Sequence, residues 1–432
     1  MAGSGDSKSG SIKIQRVPSP GTIKLGGRPG LGRIRIYRKV LQAIERHGVM
    51  RKIAVAIDSF KGSLSSMEAG AAIAEGIHRV SKDIAVQVRP LADGGEGTVE
   101  ALTAGMNGRI ERVKVTGPLG TGVEAAYGMI AATKTAVIEM SAAAGITLVD
   151  EQDRNPLHTT TYGVGELIQD AIKKGCRNFI VGIGGSATND GGVGMLQALG
   201  YGFLDADGKQ VPYGAKGLAL IEKITDDRVV PELKECHFKV ACDVANPLCG
   251  EQGCSAVFGP QKGATPSMIA EMDEWLARYA GLTKDKYPES DKNRAGTGAA
   301  GGLGFAFLSY TNAVLESGVK IVLEETKLEQ YIKNADIVIT GEGRLDGQTV
   351  MGKAPIGVAG MAKKYGKRVL AFSGCTTEDA VLCNQHGIDA FFPILRSVTT
   401  LEEAMSPEKA RENLAATVEQ VFRLIACLHS DK

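Results

Sequence analysis

The chain has 432 residues, of which 43% are hydrophobic and 23% charged, with 50 Lys and Arg against 49 Asp and Glu. A net charge of +1 leaves no cationic surplus for sequence-independent nucleic-acid binding, and the hydrophobic content is far from that of a disordered chain. Gly, Asp or Lys interrupts each apolar stretch before the roughly 18 residues a membrane helix needs, so the composition describes a water-soluble protein with no membrane partner, long enough for two domains at about 150 residues or more each.

Residues 1–49 differ from the rest. They open on MAGSGDSKSGS, continue through a stretch rich in Pro, Gly and basic residues, and carry few acids beyond Asp6 and Glu45. This reads as an N-terminal extension, a disordered tail or a mis-set start, although its Arg-rich, acid-poor composition is also that of an organelle transit peptide. Within it, Ile34, Tyr37, Leu41 and Ile44 have helical spacing.

From Met50 onward, short β-branched runs closed by Gly, Asp or Pro predict strands at 53–57, 85–91, 136–140, 179–183, 238–242, 336–340, 369–373 and 390–395. Segments with a 3.6-residue period predict helices at 66–80, 98–104, 163–174, 195–199, 267–280 and 356–365. Such alternation argues for α/β layers on a mainly parallel sheet. Residues 108–135 break the rhythm: RIERVKVTGPLGTGVEAAYGMI alternates polar and apolar positions around Gly/Pro turns, as antiparallel hairpins do, and predicts a second, differently built domain.

The 8 Cys follow no disulfide framework, which fits the reducing cytoplasm. Cys236, His237, Cys242, Cys249 and Cys254 are close in sequence but contain no CxxC pair, and Cys242 ends an apolar run, so the cysteines read as free thiols and the group not as a zinc site. The 56 Gly, beside only 5% aromatic residues, predict many tight loops.

In an α/β sheet, ligands bind beyond the carboxyl ends of the strands. Those positions carry Asp58, Lys61 and Ser63; Asp93 and Glu96; Gly184, Gly185, Ser186, Thr188, Asn189, Asp190 and Gly191; Asp243; and Glu342, Arg344, Asp346, Gln348 and Lys353. One such loop is explained by turn and capping needs. Five together, combining carboxylates with Lys61, Arg344 and Lys353, point to phosphoryl chemistry, in which cations and backbone N–H groups neutralise phosphate. Gly296-Thr-Gly298-Ala-Ala-Gly301 matches GxGxxG without a preceding strand, and Gly347 to Lys353 matches a P-loop except that Ala354 replaces the Ser/Thr, so neither is read as a nucleotide fingerprint.

The segments DSFKGSLS (58–65), PLADGGEGT (90–98), RNPLHTTTYGVGELI (154–168), GIGGSATNDGGVGMLQALG (182–200), CDVANPLCG (242–250), VFGPQKGAT (257–265), GTGAAGGLG (296–304) and ITGEGRLDGQTVMGKAPIGVA (339–359) closely resemble the type I glycerate kinase family. The resemblance implies ATP- and Mg²⁺-dependent phosphorylation of glycerate, with 2-phosphoglycerate as the expected product and 3-phosphoglycerate as the alternative. It also implies two different α/β domains with a ligand cleft between them, a discontinuous flavodoxin-like one over 50–110 and 300–432 and a mixed-sheet one over 111–299. A non-catalytic glycerate sensor is the competing class, and a monomer or homodimer is expected.

For that reaction, Lys61 and Arg344 are expected to grip the substrate carboxylate or the phosphate. Asp190, with Asp346 as its rival, is expected to act on the attacking hydroxyl. Asp93, Glu96, Asp243 and Glu342 are expected near Mg²⁺–ATP, and the N–H groups from Gly184 to Gly192 are expected to cradle phosphate at a helix N-terminus. Asp58, Ser63, Gln348 and Lys353 complete the expected binding set.

Overall fold

The β-branched runs form strands and the 3.6-period segments form helices in a computed structural model that describes residues 52–92, 95 and 97–430. The extension expected over 1–49 lies outside the described residues. In chain order the strands are β1 (Lys52–Val55), β2 (Ala85–Val88), β3 (Arg109–Thr116), β4 (Gly122–Ile130), β5 (Thr135–Glu139), β6 (Asn178–Gly182), β7 (Gly202–Leu204), β8 (Lys223–Thr225), β9 (His237–Ala241), β10 (Ala313–Glu316), β11 (Ile337–Leu345), β12 (Arg368–Thr376) and β13 (Ala390–Pro393).

β1, β2, β11, β12 and β13 build an all-parallel sheet in the order β13-β12-β11-β1-β2. Ile53, Ala54 and Val55 are at most 1% exposed, as expected of a parallel strand covered on both faces. Renumbered within the sheet, the order is 2-1-3-4-5, the flavodoxin-like doubly wound arrangement, whose direction of winding reverses between β1 and β11.

The remaining large sheet has the order β10-β9-β6-β5-β4-β3 and enters the chain between β2 and β11. Its first four strands are parallel, and β4 and β3 continue it antiparallel. The alternating stretch becomes the β3–β4 hairpin, in register from Arg109↔Met129 to Thr116↔Gly122. Ala313–Glu316 pairs with β9, so this sheet continues beyond residue 299. A short ribbon, β7–β8, lies apart from both sheets.

One apolar cluster joins the two sheets. It contains Ala54 and Val338 of the parallel sheet, Val137 and Ile180 of the mixed sheet, and Val99, Leu102, Val319 and Val322 from helices Thr98–Gly105 and Gly318–Glu325. Elsewhere helix Ser66–His78 lies against the C-terminal helix Pro407–Ser430 so closely that a Cβ on Gly76 would stand 2.3 Å from the Ala415 carbonyl oxygen. Gly76→Val should therefore force the two helices apart and cost about 1–3 kcal/mol, the usual range for overpacking. Thermal denaturation should show a fall of several degrees in Tm, and an unchanged Tm would contradict the close helix contact.

Candidate active site

Where the winding reverses, β1 ends in the loop that carries Asp58, Lys61 and Ser63, and β11 runs on through Glu342 and Arg344 to the turn at 346–353. These loops bound a cavity of about 420 Å³ lined by Asp58, Lys61, Ser63, Glu342, Arg344, Asp346, Gln348 and Lys353, with Leu395, Leu401 and Met405 on an apolar wall. Eight residues expected at the site thus converge at the sheet's switch point.

Asp346 organises this turn. Its carboxylate accepts from the N–H groups of Gln348 (3.0 Å) and Thr349 (3.1 Å) and lies 3.2 Å from Arg344 Nε and 3.5 Å from Lys353 Nζ. Burial pushes its pKa up, but Lys353, the two amides and Arg344 outweigh burial and hold it below the ordinary Asp value. Glu342 is treated differently: burial raises its pKa, although the Thr349 hydroxyl donates to Oε1 at 2.6 Å and Lys353 stands 3.9 Å from Oε2. The Ser63 hydroxyl oxygen is shielded from solvent and has no hydrogen-bond partner among the described residues.

A second cavity, of about 900 Å³, opens at the carboxyl ends of β5, β6 and β9. Glu139, Ser141, Gly184, Gly185, Ser186, Asp243, Gln261, Lys262 and Ala300 are among its lining residues, and Lys61 lines it too. Lys61 is therefore common to both cavities. Asp243 also accepts from the N–H of Gly318 at 3.2 Å, at the start of helix Gly318–Glu325.

Asp190, expected beside the attacking hydroxyl, lines neither cavity. It is 1% exposed, and its carboxylate accepts from Thr161 N (2.8 Å), Thr161 Oγ1 (2.9 Å), Gly192 N (3.1 Å) and Gly194 N (3.3 Å). Burial raises its pKa, opposed by those bonds. Its carboxylate thus takes up two N–H groups of the loop expected to cradle phosphate. The Gly191 N–H is likewise spent, on the Gly301 carbonyl at 2.9 Å. Thr188 and Asn189 are fully buried, the Asn189 amide donating to Ser255 Oγ at 2.9 Å. Of that loop, Gly184, Gly185 and Ser186 line the larger cavity.

The literal GxGxxG segment has a packing purpose. Ala300, Gly301 and Gly302 have φ of 52°, 66° and 94°, and a Cβ on Gly301 would meet the Thr188 carbonyl oxygen at 2.1 Å. These glycines let one loop backbone lie against another at the rim of the larger cavity.

Two of the four expected metal ligands lie among the described residues, one in each cavity. Asp243 lines the larger cavity and Glu342 the smaller, Asp93 and Glu96 lie outside the described residues, and among the described residues no three His, Cys, Asp or Glu side chains could hold a metal ion. One cationic residue was not singled out from the sequence. Lys262 is 2% exposed and donates to Ser186 Oγ at 2.8 Å and to the Thr188 carbonyl at 2.6 Å. Burial lowers its pKa to about 8. Its signal was the segment VFGPQKGAT, but Lys262 follows a helix, Cys254–Phe258, and a rule that looks beyond strand ends passes over it.

Comparison with known proteins agrees with this architecture. The profile of the glycerate kinase family matches residues 53–426. A glycerate kinase of Haemophilus influenzae is 48% identical over 375 residues, covering 87% of this chain and 99% of the relative, and a glycerate 2-kinase of Escherichia coli is 47% identical over 372 residues, covering 85% and 98%. A crystal structure described as a candidate glycerate kinase 2 from Salmonella typhimurium superposes with a TM-score of 0.82 at 46% identity, covering 88% of this chain and all of that one. With a family match along nearly all the described residues and two cavities meeting at one lysine, the chain belongs to the glycerate kinase family and is a kinase.

Proposed function

We propose that the protein transfers the γ-phosphoryl group of ATP to glycerate and releases 2-phosphoglycerate. The observation that carries the reading is the position of Lys61 on the walls of both cavities, so that ligands held in the two meet at one ammonium group. The larger cavity suits the larger ligand, ATP, and the smaller suits glycerate. The names of the relatives from H. influenzae and E. coli support the substrate, and the second supports the position phosphorylated. The eight cysteines are free thiols, which supports a cytoplasmic setting.

Each residue of the smaller cavity then has a task. The Arg344 guanidinium is a planar fork suited to the glycerate carboxylate, and the Ser63 hydroxyl can satisfy its missing hydrogen bond on a ligand oxygen. Asp346 holds Arg344 and Lys353 in place. Glu342 is the best placed proton acceptor for the attacking hydroxyl: burial raises its basicity and Thr349 fixes its orientation. Lys61, between the cavities, offsets charge on the phosphoryl group in transit. A magnesium ion fits as one held chiefly by phosphate oxygens and water, with Asp243 among the carboxylates that line the larger cavity; it would supply charge neutralisation at the phosphates.

The direct test is ATP consumption by purified protein with D-glycerate and Mg²⁺, followed by NMR of the product. Phosphorus coupling at C2 is expected; coupling at C3 would replace the proposed position, and no turnover would leave the sensor reading in its place. Lys61→Ala and Arg344→Ala should each lower kcat/KM for glycerate at least about tenfold with Tm within a few degrees of the native value. Glu342→Gln should lower kcat by about a hundredfold, the lower range for loss of a general base, with a smaller change in KM. Native kcat in Glu342→Gln would remove it from the proton transfer.

A further inference from the structure

We propose that Lys262 and Ser186 form an anion site on the wall of the larger cavity, and that it takes a phosphate of the nucleotide's polyphosphate chain. The inference rests on the reading of that cavity as the nucleotide site.

Lys262 is buried without an acid. Its two acceptors, Ser186 Oγ and the Thr188 carbonyl, are both neutral, and no carboxylate lies within ion-pair distance of it among the described residues. An ammonium group has three N–H donors, so one remains unspent on the protein among the described residues. Burial of an unpaired charge is costly, and proteins ordinarily offset it with a counter-ion. Behind the Cys254 thiol, Asp190 is the carboxylate whose charge acts on it, but that carboxylate is committed to Thr161, Gly192 and Gly194. The missing counter-ion belongs on the cavity side, because Lys262 and Ser186 both line the cavity.

The surroundings complete an oxyanion site. Ser186 accepts from Lys262, which leaves its own hydroxyl proton to donate elsewhere. Gly184 and Gly185 bring backbone to the same wall, Gly185 at φ 73°. The Thr188 carbonyl that holds Nζ is itself fixed, since Gly301 packs against it. A cation held by neutral groups on a rigid loop is pre-organised for an incoming anion and does not have to be released from a protein carboxylate first.

The experiment uses full-length protein, with isothermal titration of tripolyphosphate, of ADP and of glycerate, separately, into native protein, Lys262→Met and Ser186→Ala. Lys262→Met should weaken tripolyphosphate and ADP at least about tenfold and leave glycerate unchanged, with Tm equal to or above the native value, because an apolar chain replaces a buried charge. Ser186→Ala should weaken tripolyphosphate severalfold. Native affinity for tripolyphosphate in folded Lys262→Met overturns the inference, and so does a loss confined to glycerate. Should Lys262→Met fail to fold, native affinity in Ser186→Ala overturns it. Phosphorylation of glycerate by the native protein is measured alongside. If that activity is present and Lys262→Met binds normally, the inference fails and the proposed function stands. If tripolyphosphate binding depends on Lys262 but glycerate is not phosphorylated, the anion site stands and the proposed function falls.

Discussion

The buried carboxylate of Asp190 is the constraint on which the larger cavity depends. Four donors from two segments end on it, and they fix the turn after β6 against the start of helix Tyr162–Lys173. Leaving a buried polar group of such an arrangement without its partner typically costs about 1–3 kcal/mol. The fixed turn in turn offers Thr188 and Gly191 as a surface for the left-handed backbone at 300–302. Three stretches far apart in sequence are thereby held as one rim.

Charge is handled in two ways within this rim. Asp190 accepts four hydrogen bonds from the protein and lines neither of the two cavities. Lys262 is as deeply buried but supported only by neutral acceptors, and it lines the cavity. Satisfaction of a buried charge, more than its residue type or its burial, separates a structural group from one placed for a ligand. The same contrast holds in the smaller cavity, where Asp346 is tied to amides and cations while Glu342 keeps a carboxylate made more basic by burial.

Much of the fold was legible because parallel strands covered on both faces read as continuous β-branched runs, and the β3–β4 hairpin as strict alternation. β10 was not: Ala313–Glu316 is four half-exposed residues with neither signature, and its place beside β9 is decided by tertiary pairing. Eight polar residues of the smaller cavity were legible, since the strand-end rule applies to β1 and β11 directly, whereas Ser59, Cys375 and Asn413 were not. Around Asp190 a sequence shows a carboxylate in a glycine-rich loop but not the four donors that end on it. Lys262 escaped for the opposite reason, its burial being visible only once helix Cys254–Phe258 and the loop after β6 are brought together.

Division of the site between two sheets also has a kinetic logic. The small acid and large nucleotide of the proposed reaction need different surroundings, and each sheet builds a cavity at its own strand ends, where glycine turns place polar groups without disturbing the core. The apolar cluster running from Val338 to Val137 and Ile180 fixes one sheet against the other, so that under the proposed function Lys61 need not search for the second ligand once the first is bound. Fixing reacting groups in advance supplies part of the entropy that a bimolecular transfer would otherwise lose at the transition state. The long insertion between β2 and β11 costs little in loop closure, because that term grows only with the logarithm of length. An insertion at the switch point thus brings a second binding surface to the reacting group while the parallel sheet retains its order.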